Sequence, residues 1–298
     1  RMVCAVVLCN PNQPCHNKVK LNSYIQSLRP SFPACREPDF QGESAVLFKN
    51  PLSSPRGPAV MDMLQSVSGI ILALFMWAHM FMVSSILLGN DAMYWVTKMF
   101  EGEPIFGKGY PILVSLFALF ILSLVVLHAF LAMRKFPATH RQYRTLHNHL
   151  GGIRHTDSYL WYVQVFTGFA LFFLASVHLY QLIMHPADIG PYASSDRVWT
   201  GRMWPLYLML LFVVELHGGI GLYRVLVKWG WFMGKDPKIG RKRLTIAKWV
   251  LTLFFLVLGS LTLAAYMKVG YEHQDSAGER YQPAEYSQLH SASQGEND

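Results

Sequence analysis

The chain contains 298 residues, of which 52% are hydrophobic and only 15% are charged, and its mean hydropathy is positive at +0.24. This composition excludes an ordinary water-soluble domain and indicates an integral membrane protein. The net charge of +8 would suit a nucleic-acid-binding protein, but most basic residues of the apolar region lie between apolar runs, where they report membrane topology. We therefore expect a lipid bilayer, and no nucleic acid, as a partner.

Residues 1–60 differ in composition from the rest of the chain. They contain eight prolines and no lasting helical or alternating period, which predicts a poorly ordered tail. The apolar run near its start is too short for a membrane span or a secretory signal. All four cysteines lie here, with a spacing that fits neither a zinc site nor covalent haem attachment: Cys4, Cys9, Cys15 and Cys35. We expect much of this tail to be poorly ordered or not part of the working protein.

Five apolar segments follow, each long enough at about 1.5 Å per residue to cross a hydrocarbon core of about 30 Å. They lie at residues 63–89, 110–134, 158–184, 203–228 and 244–267. The sequence therefore predicts an all-α integral membrane protein with five transmembrane helices. These occupy a domain at residues 61–270, and a polar C-terminal tail follows at 271–298.

Basic residues are concentrated in two of the connections. Residues 134–154 contain five arginines and lysines, and residues 228–243 contain six. By the positive-inside rule both connections are cytoplasmic. The rule therefore predicts a cytoplasmic N-terminus and an external C-terminus, with residues 90–109 and 185–202 facing outward.

Four of the five spans carry one histidine each: His79, His128, His178 and His217. An imidazole in the hydrocarbon layer is costly unless the interior of the bundle holds it, so such residues mark a functional site. His79 and His178 lie toward the outer side of their spans, whereas His128 and His217 lie toward the inner side. The depths predict two pairs, separated by roughly 13 Å.

A pair of facing imidazoles between helices is typical of the axial ligands of haem iron. Zinc or copper would need more ligands at each level, and no thiol or acidic partner is available there. We therefore predict that four of the helices form a bundle around two b-type haems. The alternative is a transporter or passive anchor with structural, hydrogen-bonded histidines.

A short repeat relates the first and third spans. The pattern Gln-x-x-(Ser/Thr)-Gly, followed ten residues after the glycine by histidine, occurs at residues 65–79 and 164–178. Glycine lets a flat ring or another helix approach closely, so the repeat supports the pairing of His79 with His178. A common helix-packing motif is the alternative.

Haem propionates are anionic and need polar partners near the ends of the spans. Candidates near the cytoplasmic boundary are Gln65, Ser66, Trp161 and Lys228, together with Arg134 and Arg224, and Arg197 is a similar candidate outside. Each has an alternative role as an interfacial anchor.

Two carboxylates stand apart from these candidates. Glu215 lies two residues before His217 in an apolar span, where a proton relay or a neutral, hydrogen-bonded glutamic acid would explain it. Glu101 follows the first span in an outer connection and could accept a proton from a quinol hydroxyl, with a solvated surface charge as the alternative.

Several stretches between about Asp62 and Gly270 resemble the dihaem cytochrome b subunits of menaquinol:fumarate reductases from anaerobic bacteria. They include His79-Met-Phe-Met-Val-Ser, Leu-Leu-Gly89, Trp95-Val-Thr-Lys-Met-Phe-Glu101, His128-Ala-Phe-Leu-Ala-Met-Arg-Lys-Phe-Pro137, Ser176-Val-His-Leu-Tyr180, Trp204-Pro-Leu-Tyr207, Glu215-Leu-His217, Leu222-Tyr-Arg224 and Lys228-Trp-Gly-Trp-Phe232. The motifs occur in the same order and with similar spacing. Residues 1–60 have no such counterpart.

The resemblance implies a multi-pass subunit of the bacterial cytoplasmic membrane. Its partners would be a cytoplasmic iron–sulfur subunit and an FAD-containing flavoprotein, and two such heterotrimers would form a dimer. Menaquinol would be oxidised near the outer face, with Glu101 matching the quinol-site acid of the family. Electrons would pass through an outer haem and an inner haem to the iron–sulfur clusters, and fumarate would be reduced on the flavoprotein.

The resemblance also assigns roles to the remaining candidates. His79 and His178 would bind the outer haem iron, and His128 and His217 the inner one. Glu215 matches the carboxylate of a transmembrane proton path. Gln65, Ser66, Trp161 and Lys228 match family positions around the propionates of the inner haem, and Arg197 matches a family position near the outer haem.

Two related alternatives remain open at this point. A succinate dehydrogenase anchor would use the same parts in the direction of quinone reduction. The cytochrome b subunit of a hydrogenase or formate dehydrogenase would differ in the soluble subunits that accompany it.

Overall fold

The computed structural model describes residues 56–136, 139–152 and 156–283. The expectations for the tail at 1–60 and its four cysteines therefore lie almost wholly outside the described residues, as does the tail after residue 283. Within the described ranges every regular element is a helix and no strand occurs, which confirms the predicted all-α class.

The elements follow one another in a simple order. In chain order they are α1 (Gly57–Val83), a 3-10 turn (Ser84–Leu88), α2 (Asn90–Phe100), α3 (Glu103–Phe106), α4 (Ile112–Met133), α5 (His140–Gly152), α6 (Thr156–Met184), α7 (Pro191–Val198), α8 (Trp204–Lys228), α9 (Pro237–Glu272) and a second 3-10 turn (Gln274–Ser276). Five of them, α1, α4, α6, α8 and α9, are long and apolar enough to cross a membrane. This agrees with the five predicted spans.

The fifth spanning helix differs most from its predicted length. It contains 36 residues, equivalent to about 54 Å, whereas the sequence predicted residues 244–267. Pro237 occupies its first turn, and the Asp236 side chain caps it by accepting from the backbone N–H groups of Lys238 at 2.8 Å and Ile239 at 3.4 Å. Hydropathy marks only the part within hydrocarbon, so polar turns at both ends escaped the prediction.

The four spanning helices that carry histidine form a closed ring. In order around it are α1, α4, α6 and α8, and α8 returns to pack against α1. The fifth, α9, packs outside the ring against α8 and α1. The four histidine-bearing helices therefore enclose the interior of the ring.

The ring has two ends that differ in charge. At the first, Asp62 near the start of α1 lies 2.5 Å from Arg134, 3.3 Å from Lys135 and 3.1 Å from Lys228, at the ends of α4 and α8. We call this the Asp62 end. At the opposite end, which we call the Glu101 end, the last turns of α1 and α9 meet α2 and α7. There the hydroxyls of Ser84 and Thr262 lie 2.8 Å apart.

Residues 273–283, which we call the C-terminal segment, fold back over the Glu101 end. The Nδ1 atom of His273 lies 3.0 Å from Asp196, and the backbone N–H of Gly278 donates to the same carboxylate at 3.0 Å. The hydroxyl of Tyr281 donates to Asp91 at 2.6 Å. Because Asp91 belongs to α2 and Asp196 to α7, the segment joins these two helices.

Candidate cofactor-binding cavity

A long cavity runs through the interior of the ring. Its volume is about 1380 Å³, and its walls are mostly aliphatic and aromatic. Small-molecule sites usually measure about 300–1000 Å³, so this cavity has room for more than one flat macrocycle. All four histidines line it.

The histidines meet in two pairs inside the cavity. The rings of His79 and His178 have centroids 6.2 Å apart and planes inclined at 49°, and we call them the first pair. The rings of His128 and His217, the second pair, have centroids 6.5 Å apart and planes inclined at 85°. The structure thus brings together the residues that the depths paired, while their role as ligands stays a prediction.

These separations fit one metal atom between the rings of each pair. A metal–nitrogen bond of about 2 Å on either side, with about 1 Å from the bound nitrogen to the ring centre, places two imidazole centroids about 6 Å apart. No cluster of three or more His, Cys, Asp or Glu side chains that could hold a metal occurs among the described residues. The donor set therefore suits an iron whose other ligands come from a macrocycle.

Each pair connects helices at opposite corners of the ring. The first pair joins α1 to α6, and the second joins α4 to α8. An atom bound by both members of a pair would therefore tie together two helices that do not otherwise pack side by side.

The second pair is held at Nδ1 by polar groups from neighbouring helices. His217 Nδ1 lies 3.0 Å from the carbonyl oxygen of Gln164 and 3.2 Å from the hydroxyl of Thr167. His128 Nδ1 lies 3.1 Å from the hydroxyl of Ser68. Since a carbonyl can only accept, Nδ1 of His217 carries the proton, which leaves Nε2 as the nitrogen able to bind a metal.

The first pair has different surroundings. His178 Nδ1 is buried and has no hydrogen-bond partner among the described protein atoms. Its ring meets the edge of Tyr207 at 5.5 Å, and the ring of Phe75 stacks on His79 at 5.7 Å. Aromatic contacts therefore orient the first pair, whereas hydrogen bonds orient the second.

The glycines of the sequence repeat lie against the second pair. A Cβ atom on Gly69 would approach Cε1 of His128 to 2.9 Å, and one on Gly168 would approach Cε1 of His217 to 3.0 Å. The sequence had linked these glycines to His79 and His178. Ten residues along one helix is about 15 Å, so each glycine is too far from the histidine of its own helix to contact it. Each glycine instead faces the second-pair histidine of a neighbouring helix.

Five of the six propionate candidates at the Asp62 end line the cavity: Gln65, Ser66, Trp161, Arg224 and Lys228. The sixth, Arg134, is not among the lining residues and contacts Asp62 instead. The Oε1 atom of Gln65 is buried without a hydrogen-bond partner among the described atoms, and Ser66 donates to the carbonyl of Asp62 at 2.9 Å. The Asp62 carboxylate faces three cations, so this rim of the cavity carries an excess of positive charge. Such a rim favours anionic groups of a ligand.

Sequence reasoning missed Asp62 altogether. Its signal was available, since it is an acidic residue at the start of the first span on the side where basic residues are concentrated. The sequence also did not predict the contact between Arg224 and Gln164, in which Arg224 donates to the Gln164 side chain at 2.9 Å.

Arg197 lines the other end of the cavity. It donates a hydrogen bond to the backbone carbonyl of Asp188, which fixes the guanidinium beside the Glu101 end. Tyr207 and Tyr266 line the same end. Apart from the four histidines, the polar residues of the cavity are thus concentrated at its two ends.

Glu101 lies beside the cavity but is not among the residues found to line it. It is 6% exposed and accepts from Lys98 at 2.9 Å, and a side chain on Gly109 would collide with its carboxylate. Burial acts to lower the pKa of Lys98, but the hydrogen bond and charge of Glu101 outweigh it and raise that pKa above its ordinary value. The preceding residues Met99 and Phe100 do line the cavity.

Glu215 lies on α8 and is completely buried. One carboxylate oxygen accepts from the indole N–H of Trp77 at 3.3 Å, and the other has no hydrogen-bond partner among the described protein atoms. It too is absent from the described cavity lining. A half-satisfied buried carboxyl in a membrane helix is unusual.

The chain is similar to known membrane cytochromes. It is 53% identical over 220 residues to the fumarate reductase cytochrome b subunit of Wolinella succinogenes, covering 74% of this chain and 86% of that protein. It is 49% identical over 226 residues to the fumarate reductase cytochrome b subunits of two Helicobacter pylori strains, covering 76% of this chain and 87% of each relative. Residues 140–258 also match the family described as succinate dehydrogenase/fumarate reductase transmembrane subunit.

Proposed function

The chain belongs to the fumarate reductase cytochrome b subunits, the membrane anchors of that oxidoreductase, and from this premise we propose that it carries electrons from menaquinol to a cytoplasmic iron–sulfur subunit. That subunit would pass them to a flavoprotein where fumarate is reduced. A dimer of such heterotrimers is part of the proposal.

The two histidine pairs in one cavity carry this proposal. His79 and His178 would hold one b haem, and His128 and His217 would hold a second, since both centroid separations fit a single iron atom. When bound, the two haems supply one-electron carriers at two levels of the membrane. The apolar walls exclude water from the iron sites.

The charged ends of the ring support a direction across the membrane. The Asp62 end adjoins the connections rich in arginine and lysine, so we assign it to the cytoplasmic side. Its surplus positive charge would bind the propionates of the second haem through Gln65, Ser66, Trp161 and Lys228. Arg197 would do the same for the first haem at the outer side.

Glu101 is the proposed proton acceptor for menaquinol near the outer face. Its neighbours Met99 and Phe100 form part of the cavity wall, so a quinol ring against them would lie close to the carboxylate. The Lys98 ammonium lies 2.9 Å from the carboxylate and holds it in place, and a carboxylate oxygen is a group able to accept a proton.

Glu215 is the proposed proton carrier across the interior. It lies on the same helix as His217, and its unpaired oxygen leaves one position free for a proton or a donor. Trp77 holds the other oxygen at 3.3 Å and so fixes the carboxyl group in place. A carboxyl group in this state can gain and lose a proton without unfolding its surroundings.

The optical spectrum of the purified complex tests the proposal most directly. We expect a reduced-minus-oxidised difference band of b-type haem, with two haems for each copy of this chain. His128→Ala should remove the haem of the second pair and leave that of the first. A complex with no b-haem band, or a His128→Ala variant that keeps or loses both haems, would contradict the assignment.

A further inference from the structure

We propose that Ser68 and Thr167 are positioning residues that set the orientation and donor strength of the second histidine pair, and so tune the redox potential of that haem alone. The inference rests on the proposed haem site at His128 and His217. It gives the repeat shared by α1 and α6 a specific purpose.

The hydroxyl groups are placed so that their oxygens accept from the histidines. Ser68 donates its proton to the carbonyl of Gln65 in its own helix at 3.1 Å, and Thr167 donates to the carbonyls of Val163 at 2.7 Å and Gln164 at 3.1 Å. With the hydroxyl proton used there, the oxygen is left to accept from Nδ1 of the neighbouring histidine. Each histidine is thereby fixed in the tautomer that presents Nε2.

Burial makes these contacts effective. Ser68 and Thr167 are each 4% exposed, so water does not compete for the hydrogen bonds. The glycine that follows each hydroxyl residue clears the space in which the imidazole edge lies. The repeat Gln-x-x-(Ser/Thr)-Gly is therefore a cradle in which a hydroxyl, a carbonyl and a missing side chain hold one histidine from another helix.

The cradle acts on one pair only. Ser68 reaches His128 and Thr167 reaches His217, whereas Nδ1 of His178 in the first pair has no hydrogen-bond partner in the described part of the chain. A hydrogen bond donated by Nδ1 strengthens Nε2 as an electron donor, and this stabilises the ferric over the ferrous state. The hydroxyls therefore lower the potential of the second haem relative to the value it would have without them.

The test uses the intact complex carrying Ser68→Ala or Thr167→Val. A redox titration should show a more positive midpoint potential for the second haem, with the first haem unchanged. The low-spin electron paramagnetic resonance signal of the second haem should also change, because that signal depends on the angle between the two imidazole planes. Comparison with His128→Ala assigns each potential to its haem.

Conservative exchanges provide the rescue. Because the two halves of the repeat use serine and threonine interchangeably, Ser68→Thr and Thr167→Ser should keep the original potential. Ser123→Ala is a matched control on α4, since the Ser123 hydroxyl is exposed and bonds only the Leu119 carbonyl of its own helix at 2.8 Å. This control should leave both potentials unchanged.

Two results would overturn the inference. One is an unchanged pair of potentials and spectra in variants that retain both haems, and the other is an equal shift of both haems. Loss of the second haem alone, with rescue by the conservative exchanges, would support it. A wild-type complex without two haems would instead refute the proposed function, so the two failures are distinguishable.

Discussion

One methyl group added at Gly69 or Gly168 would collide with a histidine of the second pair. The added Cβ would lie 2.9 Å or 3.0 Å from an imidazole carbon, and the Nδ1 contacts leave that ring little freedom to move. We therefore expect Gly69→Ala and Gly168→Ala to lower the haem content from two toward one per chain. Haem extraction and quantification measures this content, and the retained first haem is the internal control. Full retention of both haems would contradict the close contact.

The carboxylate of Glu101 can be tested against that of a near neighbour. Glu101→Gln should lower menaquinol oxidation at least about tenfold, because the amide cannot accept the proton. Both haems should stay bound, and fumarate reduction by an artificial electron donor should be unaffected.

Glu103→Gln is the matched control for this substitution. Glu103 also faces Lys98, at 3.6 Å, but its side chain is more exposed. The Glu103→Gln variant should retain most of the menaquinol oxidation activity. If both variants lost menaquinol oxidation equally, the loss would come from removing a negative charge beside Lys98, and Glu101 would not be the proton acceptor.

At the scale of residues, the sequence predicts which polar side chains of the membrane spans have a function. Four histidines and Glu215 stand out because a polar side chain in an apolar span is costly. The partners of these groups could not be predicted in the same way. Whether the Ser68 hydroxyl meets His128 depends on how α1 and α4 are rotated about their axes, and hydropathy does not define that rotation.

Among the elements, the C-terminal segment offers a direct test of how α2 is held. The Tyr281 hydroxyl bonds Asp91, and its ring lies between those of Tyr94 and Tyr192, with centroids 6.1 Å and 5.0 Å away. Tyr281→Phe keeps the ring and removes the hydroxyl. We expect faster backbone hydrogen exchange in residues 273–283 and in α2, measured by mass spectrometry.

Tyr271→Phe provides the control for this change. Tyr271 is exposed at the end of α9, and its ring packs on Trp199. The hydrogen-exchange pattern of the Tyr271→Phe variant should match that of the wild type. Unchanged exchange in the Tyr281→Phe variant would show that the segment is held without the hydroxyl.

The Tyr281 contact also has a defined pH range. Burial, and then the hydrogen bond to Asp91, raise the pKa of Tyr281 to about 12. A raised phenol pKa means that the folded state favours the neutral form, so this contribution is complete below about pH 10 and is lost as the pH rises toward 12. The contact therefore stays formed at neutral pH.

At the scale of elements, the sequence predicts three spans closely and misjudges the extent of others. The apolar runs of α4, α6 and α8 end at polar residues, and the observed bounds differ from the predicted ones by two residues at most. The helix α9 continues into polar sequence because an N-cap and helix-compatible residues extend it. Length and composition cannot reveal which helix closes a ring and which, like α9, lies outside.

For the molecule as a whole, orientation in the membrane is the property to measure. Lys108 lies between α3 and α4 at the Glu101 end, Lys235 lies between α8 and α9 at the Asp62 end, and both are exposed. In a background with the native cysteines replaced, Lys108→Cys should react in whole cells with a maleimide that does not cross membranes. Lys235→Cys should react only after the cells are opened. The reverse pattern would overturn the proposed topology.

The order in which the chain is synthesised has a consequence for assembly, because each histidine pair joins opposite corners of the ring. The first pair needs α1 and α6, so it is complete only when the third spanning helix has been made. The second pair needs α4 and α8 and must wait for the fourth. Asp62, made first, meets Lys228 at that same moment. On the proposed dihaem assignment, both haem sites are therefore complete only after α8 has been made, and we expect a ribosome-bound chain truncated before α8 to hold at most one haem.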